Sequence, residues 1–396
     1  MVCFNKFLYF LFINFNSPFR TCIFDIEIKN IVESHGYPFE EYKDIQTPDG
    51  YLLTLHRIPY GKNVSDKTVV RPPVFLMHGI LCSSINFVFA GPNISISYQL
   101  ADRGYDVWLG NSRSTSYSKK HILYDVKSFE FWNFSMDELG VNDLGTSIEF
   151  VLKQTNCKKL TYIGHSHGNT ILAILINEQP KFNDQIKLYI ALAPSLSYST
   201  YYHPWLTRLS YLIPVFKQLG LYEFPPMLNY VNNIVALICD NNNNITNTLC
   251  ILLMEIAVGP EKYINKTASR PFFERLLEGI GYKNFEHILQ VYYSGGKLRK
   301  FDFGVYENFR IYGNAIPPDY EINKIHIPTA IYYTSHDWFN SREDVEIALK
   351  EVPNVVDDYL VTNDVFNHLD FLWARNIKDL LCSRVISLID SYNKIV

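Results

Sequence analysis

The stretch LTYIGHSHGNTILAIL, residues 160–175, decides how this chain folds. Leu160 to Ile163 reads as a short strand, and Ile171 to Ile176 as the apolar face of a helix. Between them stands Gly164-His165-Ser166-His167-Gly168, a G-x-S-x-G. An ordinary strand-to-helix connection has no need of that pattern. A sharp turn that pushes a hydroxyl into the open does. At average glycine and serine usage, roughly 0.1 copies are expected by chance in a chain this long. The setting therefore carries more weight than the motif. The glycines let backbone segments approach where a Cβ would clash. The serine is forced into an unfavourable backbone conformation. The helix that follows points its positive end at the site, which favours a developing anion.

Working outward, the same grammar repeats. PVFLMHG (73–79), YDVWLGN (105–111), LYIALAP (188–194) and TAIYYTS (329–335) are continuous apolar runs, as strands buried on both faces require. Helical stretches lie between most of them, such as 141–155 and 169–179. Near the start, YKDIQTPDGYLLTLHRIPYG reads as a hairpin turning at Pro48-Asp49-Gly50. This alternation predicts an α/β fold: a mostly parallel sheet with helices on both faces. From about Ser197 to Pro318 the alternation breaks. Trp205, Leu209, Leu212, Ile213, Phe216 and Leu219 recur at helical spacing, with Pro214 expected to kink or split the helix. More helices are expected near 251–258, 270–278 and 284–293. The expected division is a core over 23–196 and 319–396, with a helical cap inserted at 197–318.

A serine hydroxyl needs a base, and the base needs an orienting acid. In an α/β sheet of this kind the chain order is Ser, acid, His. Asp337 ends one buried strand, and His368 lies in the loop after the next. Asp364 and Asp370 compete for the acid, and His336 and His121 for the base. The developing oxyanion needs two backbone N–H donors. One is expected from His167, and the other from Leu81 or Ile80 in HGILCSS (78–84), the loop after an early strand.

The bulk numbers bound the rest. The chain has 396 residues, 47% hydrophobic and 19% charged, with a net charge of −4. That excludes a disordered chain and gives no footprint for nucleic acid. Aromatics are plentiful, with 28 Tyr and 27 Phe, a bias of composition or a lipid-facing surface. No metal-ligand spacing, P-loop or dinucleotide fingerprint appears, so a hydrolase without a cofactor is expected.

The run FLYFLFINF (7–15) is too short to span a bilayer and suits a secretory signal, placed at residues 1–22. An uncleaved anchor is the alternative. Sequons occur at Asn63, Asn93, Asn133, Asn244 and Asn265. Cys239 and Cys250 flank a polar, turn-like loop and are the disulfide candidates in an oxidising compartment. Cys82, Cys157 and Cys382 have no obvious partner.

These residues together resemble the acid lipase family, the α/β-hydrolases that include gastric and lysosomal acid lipases and insect relatives. The resemblance runs through YPFEEYKDIQTPDGYLLTLHRIP, VFLMHGILCSSINFV, LADRGYDVWLGNSRSTSYSKKH, FWNFSMDELGVNDL, YIGHSHGNT, HDWFNSREDV and FNHLDFLW. It implies Ser166 as nucleophile, Asp337 as acid, His368 as base, and Leu81 and His167 as oxyanion donors. It also implies hydrolysis of acyl esters of glycerol or sterols, often at mildly acid pH. The substrate is then a lipid ester met at a lipid–water interface, and the compartment secreted or lysosomal. The helical cap becomes a lid over the acyl pocket, with no transmembrane segment. The chain departs from the family at His167, where Gln is usual, at Ser114, where Gly is frequent, and around LLEGIGYKNFEHILQ in the cap.

Overall fold

The computed structural model describes residues 27–198, 211–225, 277–362 and 365–393, with seven single residues between 232 and 259. The proposed signal segment, Cys239, Cys250, Asn244, Asn265, Trp205, Leu209 and Asp364 lie outside the described residues, as do most of the expected cap helices near 251–258 and 270–278.

Eight strands form one sheet. They are β1 (Glu40–Gln46), β2 (Leu52–Ile58), β3 (Pro73–Met77), β4 (Asp106–Leu109), β5 (Leu160–His165), β6 (Ile186–Leu192), β9 (Thr329–Thr334) and β10 (Val355–Val361), in the order β1-β2-β4-β3-β5-β6-β9-β10. From β4 to β10 every neighbouring pair is parallel, while β1 and β2 add an antiparallel edge. The short pair β7 (Glu223–Phe224) and β8 (Ile280–Gly281) stands apart from this sheet.

The unbroken apolar runs follow from burial on both faces. In β3, Val74 and Leu76 join one core cluster, while Phe75 and Met77 join the other. Helices Ile96–Arg103 and Ser383–Asn393 pack on the first face through Leu100, Val385 and Ile389. Helices Gly145–Thr155 and His167–Glu178 cover the second through Ile148, Val151 and Leu172. Each fully buried side chain of this kind contributes about 1.5–3 kcal/mol.

The hairpin turn at Pro48-Asp49-Gly50 is anchored by the buried Arg113. Its Nη1 donates to Asp49 at 2.6 Å and its Nη2 to Asp143 at 2.6 Å. Removing one partner from such a buried group typically costs about 3–5 kcal/mol.

The chain passes from β3 to β4 on one side and returns to β5 on the other. The carboxyl ends of β3 and β5 therefore meet at the point where strand order reverses, the place where open α/β sheets bind ligands.

Part of the segment between β6 and β9 is described. Ile213, Phe224, Ile280, Tyr282, Phe285 and Leu289 form a third apolar cluster, and Ile80, Leu81 and Phe216 pack against it. Pro214 stands at a helix start, and residues 199–210 before it lie outside the described residues. It sits in the first turn of the short helix Ile213–Gln218, where its missing N–H has no partner to lose. The apolar spacing there also divides. Ile213 is buried, whereas Leu212 and Leu219 are exposed.

Candidate active site

Ser166 stands between β5 and the helix His167–Glu178, which it caps, with φ +53° and ψ −120°. That left-handed backbone is strained for a serine. It is held by the Ser166 N–H, which donates to Leu192 O at 3.0 Å, and by Asn169 N–H, which donates to Ser166 O at 2.9 Å. The flanking glycines fit their tight places. A Cβ on Gly168 would stand 2.6 Å from Met77 O, and one on Gly79 only 2.9 Å from Ser166 Cβ. Glycine at these two positions lets the end of β3 lie against the serine turn.

Asp337 follows β9, and His368 follows β10. The structure brings them into contact: His368 Nδ1 lies 2.7 Å from Asp337 Oδ2, with both side chains buried. The other carboxylate oxygen accepts from Phe339 N–H at 2.7 Å and Asn340 N–H at 2.9 Å. His165, next to Ser166, ties the histidine loop to β5 by donating from Nε2 to His368 O at 3.0 Å. The two imidazoles lie 4.9 Å apart between ring centres.

The competing candidates lie elsewhere. His336 is exposed. His121 is bound to Asp49 O and packed on Tyr51 at the hairpin. Asp370 accepts from Asn367 N–H at 2.8 Å. Ser341 caps the helix Arg342–Glu351.

Leu81 also has a positive φ, +57°. Its carbonyl accepts from Glu278 N–H at 2.9 Å, so the chain re-entering the core holds this loop. His78 fixes the loop's root, donating from Nδ1 to Gly79 O at 2.7 Å and accepting from Ser112 N–H at 3.2 Å. Leu81 and His167 line one small cavity of about 10 Å³, together with His78, Ser112 and Asn284. His167 Nε2 and Asn284 Oδ1 have no hydrogen-bond partner among the described residues.

Burial sets the electrostatics here. It pushes the imidazoles of His165 and His167 down to about 3 and that of His78 to about 4. All three stay neutral near neutral pH. Burial pushes the Glu278 carboxyl up, although it accepts from Ser116 N–H and Oγ.

Asn340 was not anticipated from the sequence. Its Nδ2 donates to Ala193 O at 3.1 Å and lies 3.2 Å from His368 Nδ1. The available signal was an Asp337-x-x-Asn340 turn, in which an aspartate oxygen receives backbone N–H groups two and three residues on. Glu278 was missed as well, because its link to Leu81 runs through backbone atoms.

A mostly parallel sheet bearing a strained serine at a strand-to-helix turn, beside an aspartate–histidine pair, defines the α/β-hydrolase class. The family descriptions agree. "Partial alpha/beta-hydrolase lipase region" matches residues 28–91, and "alpha/beta hydrolase fold" matches residues 72–215. The chain is 33% identical to Lipase 3 of Drosophila melanogaster, over 91% of this chain and 92% of that protein. It is 34% identical to the human gastric triacylglycerol lipase, over 93% and 92%. The lysosomal acid lipase/cholesteryl ester hydrolase of Macaca fascicularis gives 34% over 93% and 92%. Among solved structures, a soluble variant of the monoglyceride lipase of Saccharomyces cerevisiae shares the fold. Its TM-score is 0.53 at 14% identity, covering 88% of this chain and 96% of that one. The chain belongs to the acid lipase family and is an ester hydrolase of the lipase type.

Proposed function

We propose that this chain hydrolyses acyl esters of lipids, such as triacylglycerols or sterol esters, through a Ser166–His368–Asp337 triad and an acyl-enzyme. The observation that carries the reading is the buried 2.7 Å contact between His368 and Asp337, on loops beside the strained Ser166 turn. In this reading Ser166 Oγ attacks the ester carbonyl while His368 takes its proton. Asp337 orients the ring and stabilises the imidazolium. The backbone N–H groups of Leu81 and His167 receive the oxyanion. His368 then returns the proton to the departing alcohol. Water, deprotonated by the same ring, releases the fatty acid from Ser166.

Residues 197–318 are assigned as a cap over this site. Supporting that role, Tyr211, Leu212, Val215 and Leu219 on and beside one short helix are all exposed apolar groups, suited to a lipid–water interface. The gastric triacylglycerol lipase and the lysosomal acid lipase/cholesteryl ester hydrolase among the relatives support triacylglycerol and sterol esters as the substrate class, and a secreted or lysosomal site of action. No helix among the described residues is long and apolar enough to cross a membrane.

The test is turnover of emulsified trioleoylglycerol and cholesteryl oleate between about pH 4 and 9, beside labelling with an alkyl phosphonate. Ser166→Ala is expected to lose labelling and to drop kcat by about 10³-fold or more. Normal turnover in that variant sinks the assignment. Activity confined to short soluble esters would make the protein a small-substrate esterase. Fatty-acid binding without labelling would make it a non-catalytic lipid binder.

A further inference from the structure

Away from the serine, a groove of about 330 Å³ opens between the core and the segment that follows β6. Such a volume is within the range of small-ligand sites. Its lining includes Phe129, Tyr222 and Phe303, together with Lys217, Glu286, Asn133 and Lys283, whose Nζ stands 5.1 Å from the centre of the Phe303 ring. Phe129 and Phe303 are 47% and 40% exposed, high for aromatic rings that share one groove. Phe129 and Tyr222 meet edge-on at 5.5 Å. Lys217 and Glu286, both in the lining, pair at 2.6 Å and keep further polar hydrogens and lone pairs there. Asn133 is exposed, stands just after the short helix Phe129–Trp132, and begins the sequon Asn133-Phe134-Ser135.

We propose that Asn133 carries an N-linked sugar and that this groove is the seat of its first residues. This rests on the secretory-route part of the proposed function. In the attachment step, Asn133 Nδ2 loses a proton and bonds to the anomeric carbon of an oligosaccharide donor carried on a lipid pyrophosphate. The carbon–oxygen bond to the pyrophosphate breaks, and the pyrophosphate departs with the electron pair. The groove's chemistry suits such an occupant. A pyranose ring offers weakly positive C–H groups to the negative faces of aromatic rings. Its hydroxyl and acetamido groups find partners in Lys217 and Glu286. The asparagine that would hold it covalently already lines the groove, so the sugar needs no separate affinity to arrive there. It would bridge the core at Phe129 to Tyr222 and Phe303 in the later segments.

The full chain is expressed in a eukaryotic host, and the protein recovered from cells and from medium is mapped by glycopeptide mass spectrometry. Asn133 is expected to be occupied. The exposed sequons at Asn63 and Asn93 report independently whether the chain met the transferring enzyme. Sugar on either of these with Asn133 bare overturns the proposal alone. No sugar anywhere overturns both the proposal and the secretory route.

For the seat, native endoglycosidase release is expected to be slower at Asn133 than at Asn93. Phe303→Ser is expected to speed it about five-fold, the effect of losing one aromatic contact. Equal release at the two sites removes the seat. A second measurement does not depend on how Phe303→Ser folds. Amide exchange at residues 301–303 should be slower in the glycosylated protein than in Asn133→Gln. Exchange that ignores Asn133→Gln but slows with added oleate would assign the groove to an acyl chain and overturn the proposal.

Discussion

His368 Nδ1 stands 2.7 Å from Asp337 Oδ2, while the other oxygen of the same carboxylate is held by the backbone N–H groups of Phe339 and Asn340. One oxygen faces the ring and the other is locked into a turn. The carboxylate therefore cannot rotate away from the histidine without breaking two amide hydrogen bonds.

Asp337→Asn tests what that orientation is for. The amide fills the same space but presents no charge to an imidazolium. We expect kcat to fall by about 10⁴-fold with little change in KM. Steady-state kinetics beside a thermal melt make the check. A loss below ten-fold in a normally folded variant would remove Asp337 from the proposed triad.

Asn340 is expected to be a positioning residue. Asn340→Ala frees Ala193 O and the flank of His368, and should lower kcat by about ten-fold. Asn340→Asp is the sharper variant. A second carboxylate 3.2 Å from the ring nitrogen favours the protonated imidazole. The acid limb of the kcat–pH profile should then move to higher pH by about one unit. An unmoved limb would mean that Asn340 serves only the turn.

Gly79→Ala places a methyl group 2.9 Å from Ser166 Cβ and 3.0 Å from His165 Nδ1. Either the serine turn or the Leu81 loop must shift. We expect a destabilisation of about 1–3 kcal/mol in urea unfolding, as for other overpacked sites. We also expect kcat to fall by about ten-fold or more, because a small displacement of reacting groups is enough. Full activity would show that this approach is not tight.

His167→Gln separates stability from chemistry. Burial holds the His167 imidazole down to about 3, against ~6.5 in an unfolded chain. The unfolded chain therefore takes up a proton that the folded one refuses. This source of stability is full above the unfolded value and is lost as pH falls toward the folded one. The slope is about 1.4 kcal/mol per pH unit for one such group. His78 adds to it in the same direction. Glu278, whose carboxyl is pushed up by burial, gains its proton first in the folded state and works the other way. Between about pH 6 and 4 the Gln variant should lose roughly 1 kcal/mol per pH unit less than the parent in urea unfolding. Its kcat near neutral pH should stay within about three-fold, since a backbone N–H does not depend on the side chain. Parallel stability curves would refute the linkage.

The strands were legible because burial on both faces leaves a run such as Val74 to Met77 with nowhere to put a polar residue. The serine turn was legible because Gly164 and Gly168 bracket it. Matching an acid to a base was harder. Asp337 and His368 are 31 positions apart, and their meeting depends on two loops that composition does not specify. Position in the strand order favoured them over His336 and His121, but only the resemblance singled them out. Pro214 shows the opposite limit. A proline breaks a helix interior but is tolerated in a first turn, so whether it kinks or splits a helical stretch depends on a boundary that spacing alone does not fix.

Cys82 sits beside Leu81, and burial raises its thiol to about 12, as it does that of Cys382. At physiological pH almost none of either sulfur is thiolate, the form that attacks disulfides and oxidants. Even under oxidising conditions these two sulfurs would be spectators. They neither attack a disulfide nor need a reductant to keep the neighbouring loop intact.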